Sequence, residues 1–171
     1  MKEELVRAHK ERKSKAVLAA HVAVFSSLSV IGSFLRLPSL IQSVAFDSAP
    51  GFFAALYFGA LEGGLVTGIG HITTAIISGL PLGVLHLPVA LGMGCAGGAM
   101  GLINRARVRF GLPLAILAGV STNAALFLLV VPILGWVPAL AFLPFLLTAA
   151  VLNALAAAMA YIETRRRLVL G

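Results

Sequence analysis

The chain has 171 residues, of which 60% are hydrophobic and 11% are charged, and its mean hydropathy is +1.02. Soluble domains carry about 25% charged residues, so the composition excludes a soluble globular domain and predicts an all-α integral membrane protein. The net charge of +7 does not indicate a nucleic-acid-binding protein, because 12 of the 13 basic residues lie in three clusters at residues 2–15, 105–109 and 165–167. Such clusters are typical of the cytoplasmic ends of membrane spans.

Long apolar runs predict six membrane-spanning helices. They cover residues 16–35, 50–61, 64–78, 88–103, 113–134 and 138–161. We expect residues 1–15 to form a cytoplasmic tail and residues 16–171 to form a single six-helix domain with both termini in the cytoplasm. The protein is then a multi-pass protein of the inner (cytoplasmic) cell membrane, in contact with the lipid bilayer.

Two observations predict that the apolar stretch at residues 49–79 forms two spans and not one. As one helix, residues 49–79 would be about 46 Å long, which is too long for a single crossing without severe tilt. The sequence Glu62-Gly63-Gly64 predicts a break at residues 61–64, with Glu62 capping the cytoplasmic turn. With this break the chain crosses the membrane six times, and all three basic clusters lie on the cytoplasmic side. With five crossings, the clusters at residues 105–109 and 165–167 would lie on the side opposite to the amino-terminal cluster.

The second span is unusually short, at about 18 Å, and cannot cross the membrane alone. Its outer half must be completed by non-helical backbone, and the loop at residues 37–47 is the candidate. Irregular backbone at membrane depth occurs where protein buries it or a polar cavity receives it. Short segments interrupted by Gly and Pro therefore indicate a binding site, which we expect within residues 46–88.

The first span carries small residues on one face. Ala16, Ala19, Ala20 and Ala23 recur every three or four positions and form a stripe that another helix can approach closely. The GxxxG pairs of the following spans predict tight packing of the central helices. The single cysteine, Cys95, has no partner for a disulfide and is interpreted as a small hydrophobic residue.

Polar side chains within the apolar chain are the candidate binding residues, because an ionisable group at membrane depth is costly and points to function. Asp47 is the N-cap of the second helix, a ligand contact, or both, because a capping carboxylate can also accept hydrogen bonds from a ligand. His71, midway along the third span, binds either a neighbouring carbonyl or the ligand. Thr74 shares its helix face, one turn nearer the outside.

Three further candidates lie later in the chain. His86 is either a solvated loop residue or a ligand contact. Asn123 in the fifth span either joins two helices or contacts the substrate. Trp136 either anchors the chain at the membrane interface or covers an aromatic ligand. For Asn153, in the sixth span, packing between helices is the preferred interpretation.

Motifs for catalysis and for ATP hydrolysis are missing from the sequence. There is no HExxH, GxSxG or GxxxxGK motif and no carboxylate pair with metal-binding spacing. We therefore expect the protein not to be an enzyme and to have no metal and no cofactor. The spans also lack the charged side chains of an ion relay, so the chain is predicted to bind a solute without powering its transport.

The chain resembles the substrate-binding S component of energy-coupling-factor (ECF) transporters. The resemblance rests on its size, six hydrophobic helices with both termini inside, the AxxxA stripe at Ala16 and Ala20, and the long first outer loop. It implies that the alanine stripe docks on a transmembrane coupling subunit, which works with two cytoplasmic ATPase subunits. It also implies a vitamin-type ligand near the outer face, under the loops at residues 36–48, 79–86 and 135–136.

Three segments are most similar to S components for α-ribazole, a cobalamin precursor. They are FDSAPGFFAAL at residues 46–56, GHITTA at 70–75 and LPLGVLH at 80–86. The resemblance implies a ribose whose hydroxyls bind Asp47 or Asn123 and a benzimidazole ring that stacks on Trp136, Phe52 or a histidine. Another vitamin or nucleoside-like ligand, a structural membrane protein without ligand, and a self-sufficient small carrier stay open as alternatives.

Overall fold

The fold is that of a computed structural model, which describes residues 2–36, 44–106 and 108–170. The described helices are α1 (Lys2–Gly32), α2 (Ala49–Tyr57), α3 (Ala60–Ile77), α4 (His86–Arg105), α5 (Gly111–Ala125), α6 (Val131–Leu134) and α7 (Trp136–Leu170). Short 3-10 helices, Gly83–Leu85 and Leu126–Leu129, precede α4 and follow α5. The predicted all-α class is confirmed for these residues.

Five helical segments are long and apolar enough to cross a membrane. They are Ser14–Gly32, Ala60–Ile77, Gly83–Arg105, Gly111–Leu134 and Trp136–Val169, as expected for a multi-pass membrane protein. By contrast, α2 has nine residues, which is about 14 Å of helix against a hydrocarbon core of roughly 30 Å. This short helix packs against α1, α3, α4 and α7, so other helices of the protein cover it.

The break between the second and third predicted spans is misplaced. The chain turns at Phe58 and Gly59 rather than at residues 61–64, and Gly59 has a φ angle of +120°, a conformation that residues other than glycine rarely adopt. Glu62 lies in the first turn of α3 rather than in the turn itself. There its carboxylate interacts favourably with the helix dipole.

Other predicted boundaries also shift. The predicted tail and first span form one continuous helix, α1. The predicted fifth span is interrupted, because α5 ends at Ala125 and the chain continues through a 3-10 helix and the short α6 to Gly135. Gly135 has a φ angle of +79° and separates α6 from α7.

The predicted close packing of the central helices is confirmed between α3 and α4. A Cβ atom added at Gly64 would lie 3.0 Å from the carbonyl oxygen of Gly94, and one added at Gly97 would lie 2.9 Å from the carbonyl carbon of Gly63. Only glycine allows the two backbones to come so close. This pairing fixes the position of α3, which carries His71, relative to α4, which carries His86.

Contacts from four helices meet at one end of the bundle. Phe58, directly after α2, stacks on His21 of α1 with ring centroids 3.9 Å apart. The backbone carbonyl of Phe58 accepts a hydrogen bond from Arg105 at the end of α4. Asn104 of α4 bonds the Tyr161 hydroxyl of α7 at 3.5 Å. The α2–α3 turn, the end of α4 and the last part of α7 therefore lie together.

Candidate functional site

A cavity lies at the opposite end of the bundle, where the connections between helices meet. Val44 before α2, Leu82 between α3 and α4, and Val130 between α5 and α7 all line it. Its volume is about 50 Å³, and a water molecule needs at least 10–15 Å³ by this kind of measure. The cavity can thus hold a few water molecules. Its polar lining residues are Asp47, Ser48, His71, Asn123 and Asn153.

The loop that precedes α2 is held in place by backbone pairing at its base. Arg36 and Ala45 form an antiparallel β-bridge, and the N–H of Phe46 donates to the carbonyl of Leu35 at 3.0 Å. Residues 37–43 of the predicted first outer loop lie outside the described residues. The bridge brings residues 44–48 back over the bundle, so that Asp47 is placed on the cavity.

Asp47 is buried, with 4% of its surface exposed. Its Oδ1 atom accepts a hydrogen bond from the Ser48 hydroxyl at 3.0 Å, while Oδ2 has no hydrogen-bond partner among the described residues. Burial raises the pKa of Asp47, and the hydrogen bond from the Ser48 hydroxyl opposes that shift. Ser48 occupies the N-cap position of α2, so the N-cap interpretation of Asp47 is wrong.

Asn153 of α7 ties the cavity wall to the start of α2. Its Oδ1 accepts a hydrogen bond from the N–H of Ala49 at 2.7 Å, and its Nδ2 donates to the carbonyls of Ala45 at 3.0 Å and Ala149 at 2.8 Å. One of the free N–H groups at the start of α2 is thus bound by a side chain from another helix. The packing role expected for Asn153 is confirmed, and the residue also lines the cavity.

Asn123 of α5 faces the cavity from the far side. Its side chain is 4% exposed, and its Oδ1 has no hydrogen-bond partner among the described residues. No described hydrogen bond of Asn123 joins two helices. The Oδ1 atom of Asn123 and the Oδ2 atom of Asp47 are therefore two buried acceptors on one cavity.

His71 and His86 form a buried pair beside the cavity. The Nε2 atom of His71 lies 3.2 Å from Nδ1 of His86, and the backbone N–H of Leu82 donates to Nε2 of His86 at 3.2 Å. His71 lines the cavity, whereas His86 lies behind His71 and is not part of the lining. His86 is 1% exposed and is the first residue of α4, so its interpretation as a solvated loop residue is wrong.

Three other candidates lie outside the cavity lining. The Thr74 side chain is fully buried and donates to the Gly70 carbonyl at 3.0 Å. Phe52 is fully buried in an apolar core cluster with Leu56 and Met100. Trp136, the first residue of α7, is 61% exposed. The aromatic residue that lines the cavity is Phe142.

The sequence interpretation missed several lining residues. Leu82, Met93 and Phe142 gave no signal, since apolar residues are common at every position of such a chain. Asn153 did give one, because a polar side chain within a span is unusual. Its position toward the inner half of the predicted sixth span favours a packing role alone.

The alanine stripe of α1 lies apart from the cavity, on the outer surface of the bundle. Ala16, Ala19, Ala20 and Ala23 are all exposed. Val17 and Val24, on the same helix, are also exposed, by 46% and 57%. The alanine stripe is therefore open to lipid or to another protein.

The polar side chains at the cavity can form hydrogen bonds to a small polar solute. It offers two acceptors without partners, one histidine ring and apolar walls, as small-molecule sites commonly do. Within the described ranges, no group of three or more His, Cys, Asp and Glu side chains is placed to hold a metal ion.

Comparisons of the chain with models of protein families, with curated proteins and with solved structures find no match.

Proposed function

We propose that the protein is the membrane-embedded substrate-binding subunit of an ECF-type importer and binds a small water-soluble vitamin or precursor, with α-ribazole as the leading candidate. The chain captures the solute from outside and hands it over through a coupling subunit with two ATPases.

The observation that carries the proposal is the pair of buried oxygens on the cavity. Oδ2 of Asp47 and Oδ1 of Asn123 have no partner among the described residues. An unsatisfied buried polar group costs about 1–3 kcal/mol, and such groups are rare in folded proteins. A solute with hydroxyl or N–H donors would satisfy both oxygens, as a ribose could.

The size of the cavity indicates that binding needs an opening movement. Pockets for drug-sized ligands measure roughly 300–1,000 Å³, whereas this cavity measures about 50 Å³. Its rim is formed by segments between helices, including Val44, Leu82 and Val130. Movement of these connections, with α1, α3 and α4 held together, would enlarge the site without unpacking the bundle.

The proposed topology has both termini in the cytoplasm, with the cavity facing outward. The turn after α2, the end of α4 and the last part of α7 meet at one end of the bundle. The basic residues Arg105, Arg109 and Arg165 are exposed near the helix ends on that side. Basic residues favour the cytoplasmic side, so α2 would complete an even number of crossings.

The test of the proposal is equilibrium binding to the purified full-length chain. Isothermal titration with α-ribazole should give one site per chain, and native mass spectrometry should show one retained small molecule. A retained molecule of another mass would assign the site to a different vitamin-type solute. If no α-ribazole binds and no small molecule is retained, the proposal is wrong and the polar residues only join helices.

A further inference from the structure

One backbone contact determines which histidine of the pair donates the hydrogen bond and which accepts it. The N–H of Leu82 can only donate, so Nε2 of His86, 3.2 Å away, must be the acceptor and carries no proton. A ring with an unprotonated Nε2 is neutral and carries its proton on Nδ1. His86 therefore donates from Nδ1.

The tautomer of His86 determines the tautomer of His71. Nδ1 of His86 lies 3.2 Å from Nε2 of His71, so Nε2 of His71 accepts this hydrogen bond. His71 is then also neutral, with its proton on Nδ1. No described residue is hydrogen-bonded to Nδ1 of His71, and the ring lines the cavity. The Nδ1–H of His71 is thus a donor available to a ligand.

We propose that Leu82 and His86 act as positioning groups that fix His71 as a hydrogen-bond donor, so that the cavity presents one donor and two acceptors to its ligand. The inference deepens the proposed function and rests on it for the identity of the ligand. It adds a hydrogen-bond donor, Nδ1–H of His71, to the two acceptors already described, Oδ2 of Asp47 and Oδ1 of Asn123. The three atoms together form a recognition pattern that the two oxygens alone do not define.

This pattern defines the chemical class of the ligand. The ligand brings at least two hydrogen-bond donors, for Asp47 and Asn123, and one acceptor, for His71. An anionic group is disfavoured, because its oxygens would face the oxygens of Asp47 and Asn123, and none of these atoms could donate a hydrogen bond. In addition, the described lining residues include no Lys or Arg that could balance a negative charge. Uncharged polyhydroxylated heterocycles and uncharged amides match this class.

The first test reads the tautomers directly and needs no ligand. The full-length chain is labelled with ¹⁵N-histidine in a His9→Gln, His21→Gln background, which leaves only His71 and His86. Long-range ¹H–¹⁵N correlation spectra in detergent should show both rings with the proton on Nδ1, whereas free histidine favours Nε2–H. A spectrum with His71 protonated on Nε2, or on both nitrogens, overturns the inference.

Two variants separate positioning from simple packing. The leucine of His86→Leu occupies the space of the imidazole ring but offers no hydrogen-bond donor to Nε2 of His71. The His71 ring should then change to a mixture of tautomers that contains the Nε2–H form. His86→Gln offers an amide donor and an acceptor, and should keep the Nδ1–H form of His71. If His71 is unchanged in His86→Leu, His86 has no positioning role. If neither variant folds, the wild-type spectrum still decides the inference.

The second test uses α-ribazole and its 2′,3′-dideoxy analogue as probes. Loss of the two ribose hydroxyls leaves buried acceptors unpaired, so the analogue should bind at least tenfold more weakly. Equal binding of both probes overturns the assigned pattern. If α-ribazole itself does not bind while the histidine spectrum is as expected, the choice of substrate is wrong and the donor assignment of His71 stands.

Discussion

At the residue scale, Asp47 combines an energetic cost with the binding role that we propose for it. Burial raises its pKa, so above that pKa the ionised carboxylate destabilises the folded chain, and a neutral amide removes the cost. We expect Asp47→Asn to keep or raise the melting temperature of the purified protein and to weaken α-ribazole binding at least tenfold. Asn123→Ala should weaken binding by a similar factor.

The matched control for these variants is Asn104→Ala. Asn104 bonds the Leu56 carbonyl at the other end of the bundle, away from the cavity. Its loss should leave α-ribazole affinity unchanged. Wild-type affinity in both Asp47→Asn and Asn123→Ala would show that these oxygens do not contact the ligand.

Asn153, unlike Asp47, stabilises the fold, because its hydrogen bonds join α7 to the start of α2. Asn153→Leu leaves the N–H of Ala49 and the carbonyl of Ala45 without this partner, and each unsatisfied buried group costs about 1–3 kcal/mol. We expect a loss of about 2–4 kcal/mol in thermal unfolding measured in detergent. A change no larger than that of Asn104→Ala would show that Asn153 does not anchor the start of α2.

At the scale of elements, the contact between α3 and α4 sets the distance between the two histidines. A Cβ atom at Gly97 would lie 2.9 Å from the carbonyl carbon of Gly63, whereas one at Gly98 would lie 3.8 Å from the carbonyl of Ala60. Gly97→Ala should therefore cost about 1–3 kcal/mol, and Gly98→Ala should be nearly neutral. Thermal unfolding of the two variants compares the positions, and equal losses would contradict this account of the packing.

The sequence was most informative where a single physical rule determines an element. Long apolar runs predicted the helical class and the main helices, because a span needs a minimum length. The end of α2 was misplaced, since Gly59, Gly63 and Gly64 all could break a helix and the sequence does not show which φ angle each adopts. The interruption of the fifth span after Ala125 was missed, although Pro132, at the start of α6, is a residue that interrupts a helix.

The site was predictable in its polar members and not in its geometry. Asp47, His71 and Asn123 were expected as candidates, and the structure brings all three to one cavity. The position of His86 behind His71 depends on how α3 packs on α4, which sequence spacing does not give. Phe52 was proposed as a stacking residue, but the side of α2 that carries it packs into the apolar core.

At the scale of the whole molecule, α1 presents its alanine stripe to the surroundings while the cavity lies elsewhere. Ala16→Trp with Ala20→Trp should block uptake that depends on the coupling subunit and leave α-ribazole affinity of the purified chain unchanged, because bulky side chains prevent close helix approach. Val17→Trp, on the same helix and 46% exposed, is the matched control and should keep uptake. Normal uptake in the double variant would reject the stripe as the docking face.

The central claim is that the chain binds its solute but does not drive transport alone. The direct measurement is uptake of radiolabelled α-ribazole into proteoliposomes that contain the chain either alone or with the coupling subunit and both ATPases. We expect the chain alone to retain at most one α-ribazole per molecule, and the complete assembly to accumulate it only with ATP. Accumulation by the chain alone, or the absence of ATP-dependent uptake by the complete assembly, would contradict this account.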